Sequence, residues 1–358
     1  MANTRSRNRN QNHDDASCRK KRFKTRDKSG VIPWSDLNHD VLLLVLMKLG
    51  AVDFIAFSGV CKSWRSLALP NKKIFMQSRP PMSIWIKDCP YKKECYLQDF
   101  EGIKFKIRIP NSIGRRCVGL TCGFLILFGS KVPDFWLVNP ITRHQLYFPL
   151  FPCLAKCDSI KSILVFSPSI SGWVLVAFLK YSHSIWFCIL GKGEWIHVYS
   201  AYTLLDLLAF KGKIYTLSSI NSYLCEELKL YPNPKLTLLK TNNFPKPAWS
   251  FLHREFVNAG EKLYLLDRDP KKDIFRVQEL DFGEMKWVLL EGKEIEEYAF
   301  FLSALNISVA IKPKSWTKSQ LLHYRRYAVT KKSRKGRFNI EHMWYFPHEC
   351  LNVNIIHE

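Results

Sequence analysis

Apolar and polar residues follow two different patterns along the chain, and the change between them comes near residue 80. In residues 34–69 the apolar positions recur at the spacing of an amphipathic helix, as they do at Val41, Leu42, Val45, Leu46 and Leu49. Leu43 and Leu44 add apolar side chains outside this stripe. A helix that is apolar almost all round must be covered on more than one side, so this segment is predicted to pack against more than its own small core.

Glycine and proline predict where the helices of this segment end. We expect Gly50 to end the first helix and a short second helix to run from Asp53 to Phe57. A third helix is predicted from Val60 to Leu67, with Pro70 ending it because a proline disfavours helical geometry in the residue before it.

From residue 80 onward the chain consists of short runs rich in β-branched and aromatic residues, separated by turn-forming residues, and this pattern favours strands. Similar runs begin at Gly123, Gly172, Gly212 and Gly260, at steps of 49, 40 and 48 residues, and a weaker copy begins at Ser303. A repeat of ~40–50 residues that holds several strands is typical of a β-propeller. An irregular β-sandwich with chance spacing of its runs is the alternative.

The predicted fold is therefore mainly β, with a small three-helix N-terminal unit followed by an all-β propeller-like domain. The number of blades stays open, because residues 80–358 would hold about six repeats of this length.

The net charge of +23 at pH 7 reflects 54 Lys and Arg residues against 31 Asp and Glu residues. Ten of the basic residues lie in residues 1–30 and another ten in residues 312–337. Such an excess suggests an acidic partner, which could be nucleic acid, an anionic membrane surface or an acidic protein. Two solvated, flexible segments would explain the same distribution, so the role of residues 312–337 stays open.

Residues 1–30 contain almost no large apolar side chains, and we expect them to form a disordered basic tail. A basic run of the nuclear-localisation kind lies within this tail, at Arg19, Lys20, Lys21, Arg22, Lys24 and Arg26. Such runs also arise by chance in basic tails. The predicted location is the nucleus, the cytoplasm or both.

The sequence contains few motifs for metal binding, cofactor binding or catalysis. The cysteine pairs Cys117/Cys122 and Cys153/Cys157 lack the spacing of a structural zinc site, so we predict no metal and interpret the cysteines as small thiols buried in a reducing compartment. No phosphate-binding, zinc-protease or nucleophile-elbow motif occurs. We therefore expect no cofactor and no enzymatic activity. No secretory signal or transmembrane helix is predicted either, so no membrane partner is expected.

Residues 34–69, "WSDLNHDVLLLVLMKLGAVDFIAFSGVCKSWRSLAL", resemble an F-box. The resemblance is carried by Trp34, Leu37, Leu42, Leu46, Leu49, Asp53, Phe57, Val60, Cys61, Trp64 and Arg65, and the ending "VCKSWRS" is its most specific part. Family members usually have Leu-Pro where this chain has Leu37-Asn38. Asparagine is itself a good helix cap, so this departure puts adaptor affinity in doubt rather than the fold.

The rest of the chain resembles the kelch-like β-propeller region of plant F-box proteins of the KIB and SKIP types. The matching pieces are "RRCVGLTCGFLILF", "FWLVNPITRHQLYFPL", "LLAFKGKIYTLSS" and "KLYLLDRD". The last blades depart from the family pattern, because the basic "LLHYRRYAVTKKSRKGRF" stands where a strand is expected. The predicted domains are the tail (1–30), the F-box (31–70) and the substrate-recognition propeller (71–358).

This resemblance implies the substrate-recognition subunit of an SCF-type (Skp–cullin–F-box) E3 ubiquitin ligase, a non-catalytic adaptor. The F-box would bind a Skp-type adaptor, and through it a cullin scaffold, while the propeller would bind the target protein. The predicted adaptor-binding residues are Leu37, Asn38, Val41, Leu42, Leu46, Val60, Cys61, Trp64 and Arg65. Leu37, Leu46, Val60 and Trp64 are the expected anchors, unless they belong to the F-box core.

Two other functions stay open. The chain could be a basic nucleic-acid-binding protein, as its charge and aromatic content suggest, or a scaffold with a degenerate F-box that no longer engages the ligase. The sequence does not identify the substrate.

Overall fold

The computed structural model describes residues 37–89, 92–129, 131–153, 160–219, 223–246, 253–269, 274–291, 293–302, 308–312 and 339–347. The predicted tail with its nuclear-localisation run, and the basic segment 312–337 apart from Lys312, lie outside the described residues. The described part forms three N-terminal helices followed by a five-bladed β-propeller. The predicted fold class is therefore confirmed.

The three N-terminal helices are α1 (His39–Leu46), α2 (Ala51–Val60) and α3 (Lys62–Gln77). Asn38 caps the start of α1. Gly50, which was expected to end the first helix, instead caps the start of α2.

The prediction that Pro70 ends the third helix is wrong, because α3 continues past it to Gln77. A proline inside a helix costs about 3 kcal/mol. Beyond Pro70, however, Phe75 and Met76 are fully buried, and the Phe75 ring stacks on Phe54 with ring centroids 4.3 Å apart. Burial of two such side chains stabilises by about 1.5–3 kcal/mol each, which is enough to offset the cost of the proline.

The described strands form five sheets. The first sheet contains β1 (Met82–Cys89), β2 (Lys92–Gln98), β3 (Lys104–Ile107) and β22 (Asn339–Tyr345). The second contains β4 (Arg115–Thr121), β5 (Phe124–Gly129), β6 (Asp134–Val138) and β7 (Gln145–Leu150). The third contains β8 (Ile160–Ser167), β9 (Gly172–Leu179), β10 (Ser184–Ile189) and β11 (Trp195–Tyr199). The fourth contains β12 (Thr203–Phe210), β13 (Lys213–Ser219), β14 (Tyr223–Lys229) and β15 (Lys235–Leu238). The fifth contains β16 (His253–Ala259), β17 (Lys262–Asp269), β18 (Ile274–Asp281), β19 (Lys286–Leu289), β20 (Ala299–Phe301) and β21 (Ser308–Ile311), with a short helix α4 (Lys293–Glu296) before β20.

The repeated sequence starts mark the second strand of a blade rather than the first. Three of the four glycines lie in the turn just before β5, β13 and β17, and Gly172 is the first residue of β9. At Cys122–Gly123 and Lys211–Gly212 both residues have positive φ, the combination that a tight type I′ hairpin requires. The repeat thus locates the inner hairpin of blades two to five.

The weaker repeat at Ser303 does not begin a further blade in the described part of the chain. Its strand β21 pairs in parallel with β16 and antiparallel with β20, so both short strands extend the fifth sheet at its inner edge. Ala299 and Phe301 of β20 pack against Trp344 and Phe346. The two strands therefore fill the space between the fifth blade and the first.

The strand β22 closes the ring. It pairs antiparallel with β1, from Met82 opposite Tyr345 to Asp88 opposite Asn339. The first blade is therefore built from strands that are far apart in the sequence.

The ring has two distinct faces because of its strand order. In blades two to five the chain passes through four consecutive antiparallel strands, from the innermost of the four outward, so it returns to the same face before each new blade. We call the side where β4, β8, β12 and β16 begin the start face, and the opposite side the hairpin face. The inner strand of the first blade is β22, and its antiparallel neighbour β1 begins at the hairpin face, so α3 joins the ring there.

The three helices share one hydrophobic core with the first two blades. Leu42, Leu46 and Phe54 belong to the same buried cluster as Ile84 of β1 and Leu125 of β5. Ile141, in the turn between β6 and β7 on the hairpin face, also packs against this cluster. The helices are thus fixed to the propeller by shared packing, and not only by the chain connection.

The prediction of buried thiols is confirmed for Cys95, Cys117, Cys188 and Cys225, and the described cysteines form no disulfide. Burial raises the pKa of Cys95 to about 12 and that of Cys188 to about 11. These thiols stay protonated at neutral pH, as expected for packing groups.

The inner strands of neighbouring blades lie unusually close together near the axis. Thr121 Oγ1 accepts a hydrogen bond of 2.7 Å from the backbone N–H of Leu164 in the next blade. A Cβ atom placed on Gly119 would lie 2.2 Å from the carbonyl oxygen of Ser162. Only glycine fits at this approach of two backbones.

We predict that Gly119→Ala destabilises the propeller, by about 1–3 kcal/mol if overpacking is the main effect. The measurement is the free energy of unfolding in denaturant. Gly59→Ala is the matched control, since its Cβ meets no atom within 4 Å and alanine is favoured by about 0.5–1 kcal/mol inside a helix. Equal stability of the two variants would contradict the close approach at the axis.

His342 lies in β22, the strand that closes the ring, and we expect it to make the stability of this strand depend on pH. Its ring lies 4.3 Å from Trp85 and 5.2 Å from Trp344 between centroids, and burial lowers its pKa to about 4. His342 therefore packs between two tryptophan rings as part of the first blade.

We predict that the pairing of β22 weakens as the pH falls from about 6.5 toward 4. Over this interval the unfolded chain takes up a proton at His342 that the folded chain does not, so the free energy of unfolding decreases with falling pH. The measurement is the denaturation midpoint at pH 7 and pH 5. His342→Phe should show a smaller decrease than the parent chain, and an unchanged decrease would rule out this histidine as a source.

Candidate adaptor-binding surface

The start of α1 is held by the residue that replaces the usual proline. The side chain of Asn38 accepts a hydrogen bond of 2.9 Å from the backbone N–H of Asp40. The φ angle of Asn38 is −55°, which a proline ring would also allow. Asn38 therefore supplies a side-chain cap where proline would have supplied backbone rigidity.

The predicted apolar stripe of α1 divides into an inner and an outer line. Leu42 and Leu46 are fully buried in the core shared with the propeller. Val41 and Val45 face outward with Leu44, which is 68% exposed. The structure therefore places Leu42 and Leu46 where they cannot contact a partner directly; their role here is packing.

The α2–α3 junction carries the second group of predicted residues. Val60, the last residue of α2, is 61% exposed. Cys61 caps α3 through its sulfur, which accepts from the backbone N–H of Trp64 at 3.5 Å. The half-buried Trp64 ring stacks on Phe57 with centroids 4.3 Å apart, and Arg65 Nε donates to the carbonyl of Ser58 at 3.1 Å.

The two groups lie side by side. His39 Nε2 and Ser63 Oγ are 3.5 Å apart, which brings the start of α1 next to the start of α3. We call the surface formed here the helix-start surface, and it comprises Leu37, Asn38, Val41, Val60, Cys61, Trp64 and Arg65.

Seven of the nine predicted adaptor-binding residues belong to the helix-start surface, but not all are equally available. Leu37 and Trp64 are half-buried and pack against the shared core, whereas Val60 projects into solvent. Of the four expected anchors, Leu46 is a core residue in this structure. The sequence interpretation did not select Leu44 and Val45, although their spacing from Val41 already placed all three on one side of α1.

Comparison with known protein families gives two matches. Residues 34–74 match the F-box domain, and residues 96–321, more than half of the chain, match the KIB1-4 beta-propeller. The chain belongs to the KIB1-4 beta-propeller family. F-box and propeller domains of this kind are typical of non-catalytic adaptors, and an F-box in general implies binding to a Skp-type adaptor.

Similar solved structures are distant. TolB from Acinetobacter baumannii is 14% identical with a TM-score of 0.38, over 64% of this chain and 59% of that chain. AztD from Citrobacter koseri is 11% identical with a TM-score of 0.35, over 62% and 56% of the two chains. The Aleuria aurantia lectin AAL is 8% identical with a TM-score of 0.35, over 60% and 79%.

The chain thus spans less than two thirds of the length of TolB and of AztD. No curated protein matches this chain.

Two absences concern only the described residues. They contain no group of three or more His, Cys, Asp or Glu side chains placed to hold a metal ion. None of their helices is both long and apolar enough to cross a membrane.

We predict that Asn38→Ala destabilises the start of α1 by about 1 kcal/mol, the usual cost of losing a helix cap. Asn38→Pro loses the same side-chain bond but restricts the unfolded chain, which stabilises by about 0.4–1 kcal/mol at a compatible site. The free energy of unfolding should therefore rank the parent first, the proline variant second and the alanine variant last. An alanine variant as stable as the parent would show that the cap contributes nothing.

Proposed function

We propose that this protein is the substrate-recognition subunit of an SCF-type E3 ubiquitin ligase. In this proposal the helix-start surface binds a Skp-type adaptor, a cullin joins through that adaptor, and the propeller binds the protein to be ubiquitinated. The protein itself catalyses no reaction. The observation that carries the proposal is an F-box whose helices expose apolar side chains outside a completed core.

The exposed apolar residues support an interface rather than a second core. Val41, Leu44 and Val60 stay open to solvent although the three helices already bury Leu42, Leu46 and Phe54 against the propeller. Exposed apolar side chains that lie together on a protein surface are typical of interaction sites. Their exposure fits a partner that covers this surface.

The rigid attachment of the helices supports a second part of the proposal. Because α3 joins the ring at the hairpin face, the start face lies on the far side of the propeller, where the three described helices do not cover it. Shared packing then fixes the distance between adaptor and client. This is useful for a ligase, which must hold its substrate at a defined position.

The nucleic-acid alternative is based on positive charge that is concentrated in residues 1–30 and 312–337. Trp136, Trp173 and Trp344, which contribute to the high aromatic content, are buried in the cores between blades and are not available for stacking on bases. Salt-sensitive binding to generic DNA by a chain that lacks residues 1–30 would favour this alternative.

We predict that Val41→Asp weakens adaptor binding by at least tenfold, or about 1.4 kcal/mol, without unfolding the chain. An acidic residue in the first turn of α1 suits the helix dipole, so the fold should tolerate the change, while the apolar contact is lost. The measurement is the affinity of the full chain for a purified Skp-type adaptor.

The control variant is Ile113→Asp, which places the same charge on an apolar residue of the propeller that is also exposed, 69% against 46% for Val41. It should bind the adaptor as the parent does. Trp64→Ala is a poorer test because Trp64 also supports Phe57. If the parent chain binds no Skp-type adaptor, the proposed function is wrong.

A further inference from the structure

A group of charged residues lies near the axis on the start face, where the inner strands of three blades begin. Lys161 of β8 forms an ion pair with Asp206 of β12, and both side chains are almost fully buried. The second carboxylate oxygen of Asp206 accepts from the backbone N–H of Phe256 in β16 at 2.8 Å. Asp206 thus ties the third, fourth and fifth blades together at one level.

Glu255, the other acid at this level, is also engaged. One of its oxygens accepts from Ser308 Oγ at 2.8 Å, and the other lies 3.9 Å from His253 Nδ1. His253 keeps 45% of its side chain exposed, so this end of the axis is open to water. We call the group Lys161, Lys180, Asp206, His253, Glu255 and Arg268 the axial mouth.

The strand pairing places two further cations here. Arg268 lies directly opposite His253 in the β16–β17 pair. Lys180 follows the end of β9, where Leu179 pairs with Ile160 at the start of β8. Both side chains therefore lie at the start face, on the third and fifth blades.

Both cations have donors that no acceptor satisfies among the described residues. The Nε atom of Arg268 is buried and has no hydrogen-bond partner, and within the described part of the chain Lys180 makes neither a hydrogen bond nor an ion pair. Arg254, the residue next to His253, shows the contrast: it forms two hydrogen bonds of 2.5 and 2.7 Å with Asp267 and a third with the Pro245 carbonyl.

The electrostatics agree with this geometry. The pKa of Lys180 is lowered, first by burial and then by the charge of Lys161, while the carboxylates of Asp206 and Glu255 act in the opposite direction. The pKa of His253 is lowered first by burial; Arg268 and Lys180 act in the same direction, and Glu255 and Asp206 oppose them. Both cations are therefore close enough to His253 to influence its charge.

We propose that the axial mouth binds an anionic group, a phosphate or a carboxylate, between Lys180 and Arg268. A guanidinium donates in a planar fork that suits both groups, and an ammonium adds a point charge. Asp206 is paired with Lys161 and Glu255 accepts from Ser308, so neither carboxylate forms an ion pair with Lys180 or Arg268 in the described part of the chain. This proposal is independent of adaptor binding, because the site lies on the opposite face from the helices.

The test is isothermal titration of the full chain with inorganic phosphate and with acetate, at constant ionic strength. We expect saturable binding of at least one anion. Lys180→Gln and Arg268→Gln should each weaken it by tenfold or more. The control Lys211→Gln removes a lysine from the hairpin-face turn between β12 and β13, where it pairs with Glu261, and should leave the affinity unchanged.

Stability separates this role from a structural one. In anion-free buffer the Lys180→Gln chain should unfold at the same temperature as the parent or a higher one, because an unpaired, desolvated charge is removed. Absence of saturable binding, or binding that neither substitution weakens, would overturn the proposal.

A pair of peptides identifies where the anion comes from. A phosphoserine peptide and its unphosphorylated form are titrated into the same chain. If the phosphopeptide binds more tightly than inorganic phosphate, the site takes an anionic side chain of a protein; if the two bind equally, it takes a free anion. In both cases the site is supported.

Discussion

The packing of three short helices against the first two blades is the interaction on which the rest of the structure depends. Leu42, Leu46, Phe54, Phe75 and Met76 are buried only because β1 and β5 supply the other half of the core. A helical unit of about 40 residues could not bury enough surface alone. The shared core also buries the inner side of α1 against the propeller, whereas the outer side of α1 is apolar and exposed.

A second constraint acts at the axis, where five blades meet in little space. Glycine at position 119 and the Thr121–Leu164 contact bring the backbones of β4 and β8 together. Between the next two blades, an ion pair of Lys161 in β8 with Asp206 in β12 connects the inner strands. Buried ion pairs stabilise only when fully matched, and Asp206 is matched twice. The polar contacts thus connect the inner strands of neighbouring blades near the axis.

The sequence predicted the architecture well because short local patterns specify many of its helices and turns. The helical spacing around Leu42 and the turn glycines at Gly123 and Gly212 are short-range signals, and the structure has a helix and two turns at these positions. The end of α3 was missed because burial of Phe75 and Met76 outweighs the local preference of Pro70. The separate copy expected at Ser303 became an addition to the fifth sheet, since parallel pairing with β16 cannot be seen in one segment alone.

The candidate sites show the same limit. The resemblance to an F-box selected the right helices, but only packing with the propeller decides that Leu46 is buried and Val60 exposed. The axial mouth was not predicted at all. Lys180 and Arg268 are almost ninety residues apart in the sequence, and nothing in either local stretch marks them as neighbours of Asp206.

The closure of the ring by β22 has a consequence for how the protein is made. Among the strands that the structure describes, β22 is synthesised after all the others, so β1 keeps an open edge toward the axis until residues 339–345 have left the ribosome. The three N-terminal helices are synthesised long before that moment. An unfinished chain would therefore display these helices beside an unpaired strand edge, which is a site for aggregation and chaperone capture. Only a chain that contains residues 339–345 can complete the first blade, so closure of the ring couples the earliest strand of the propeller to the latest one described.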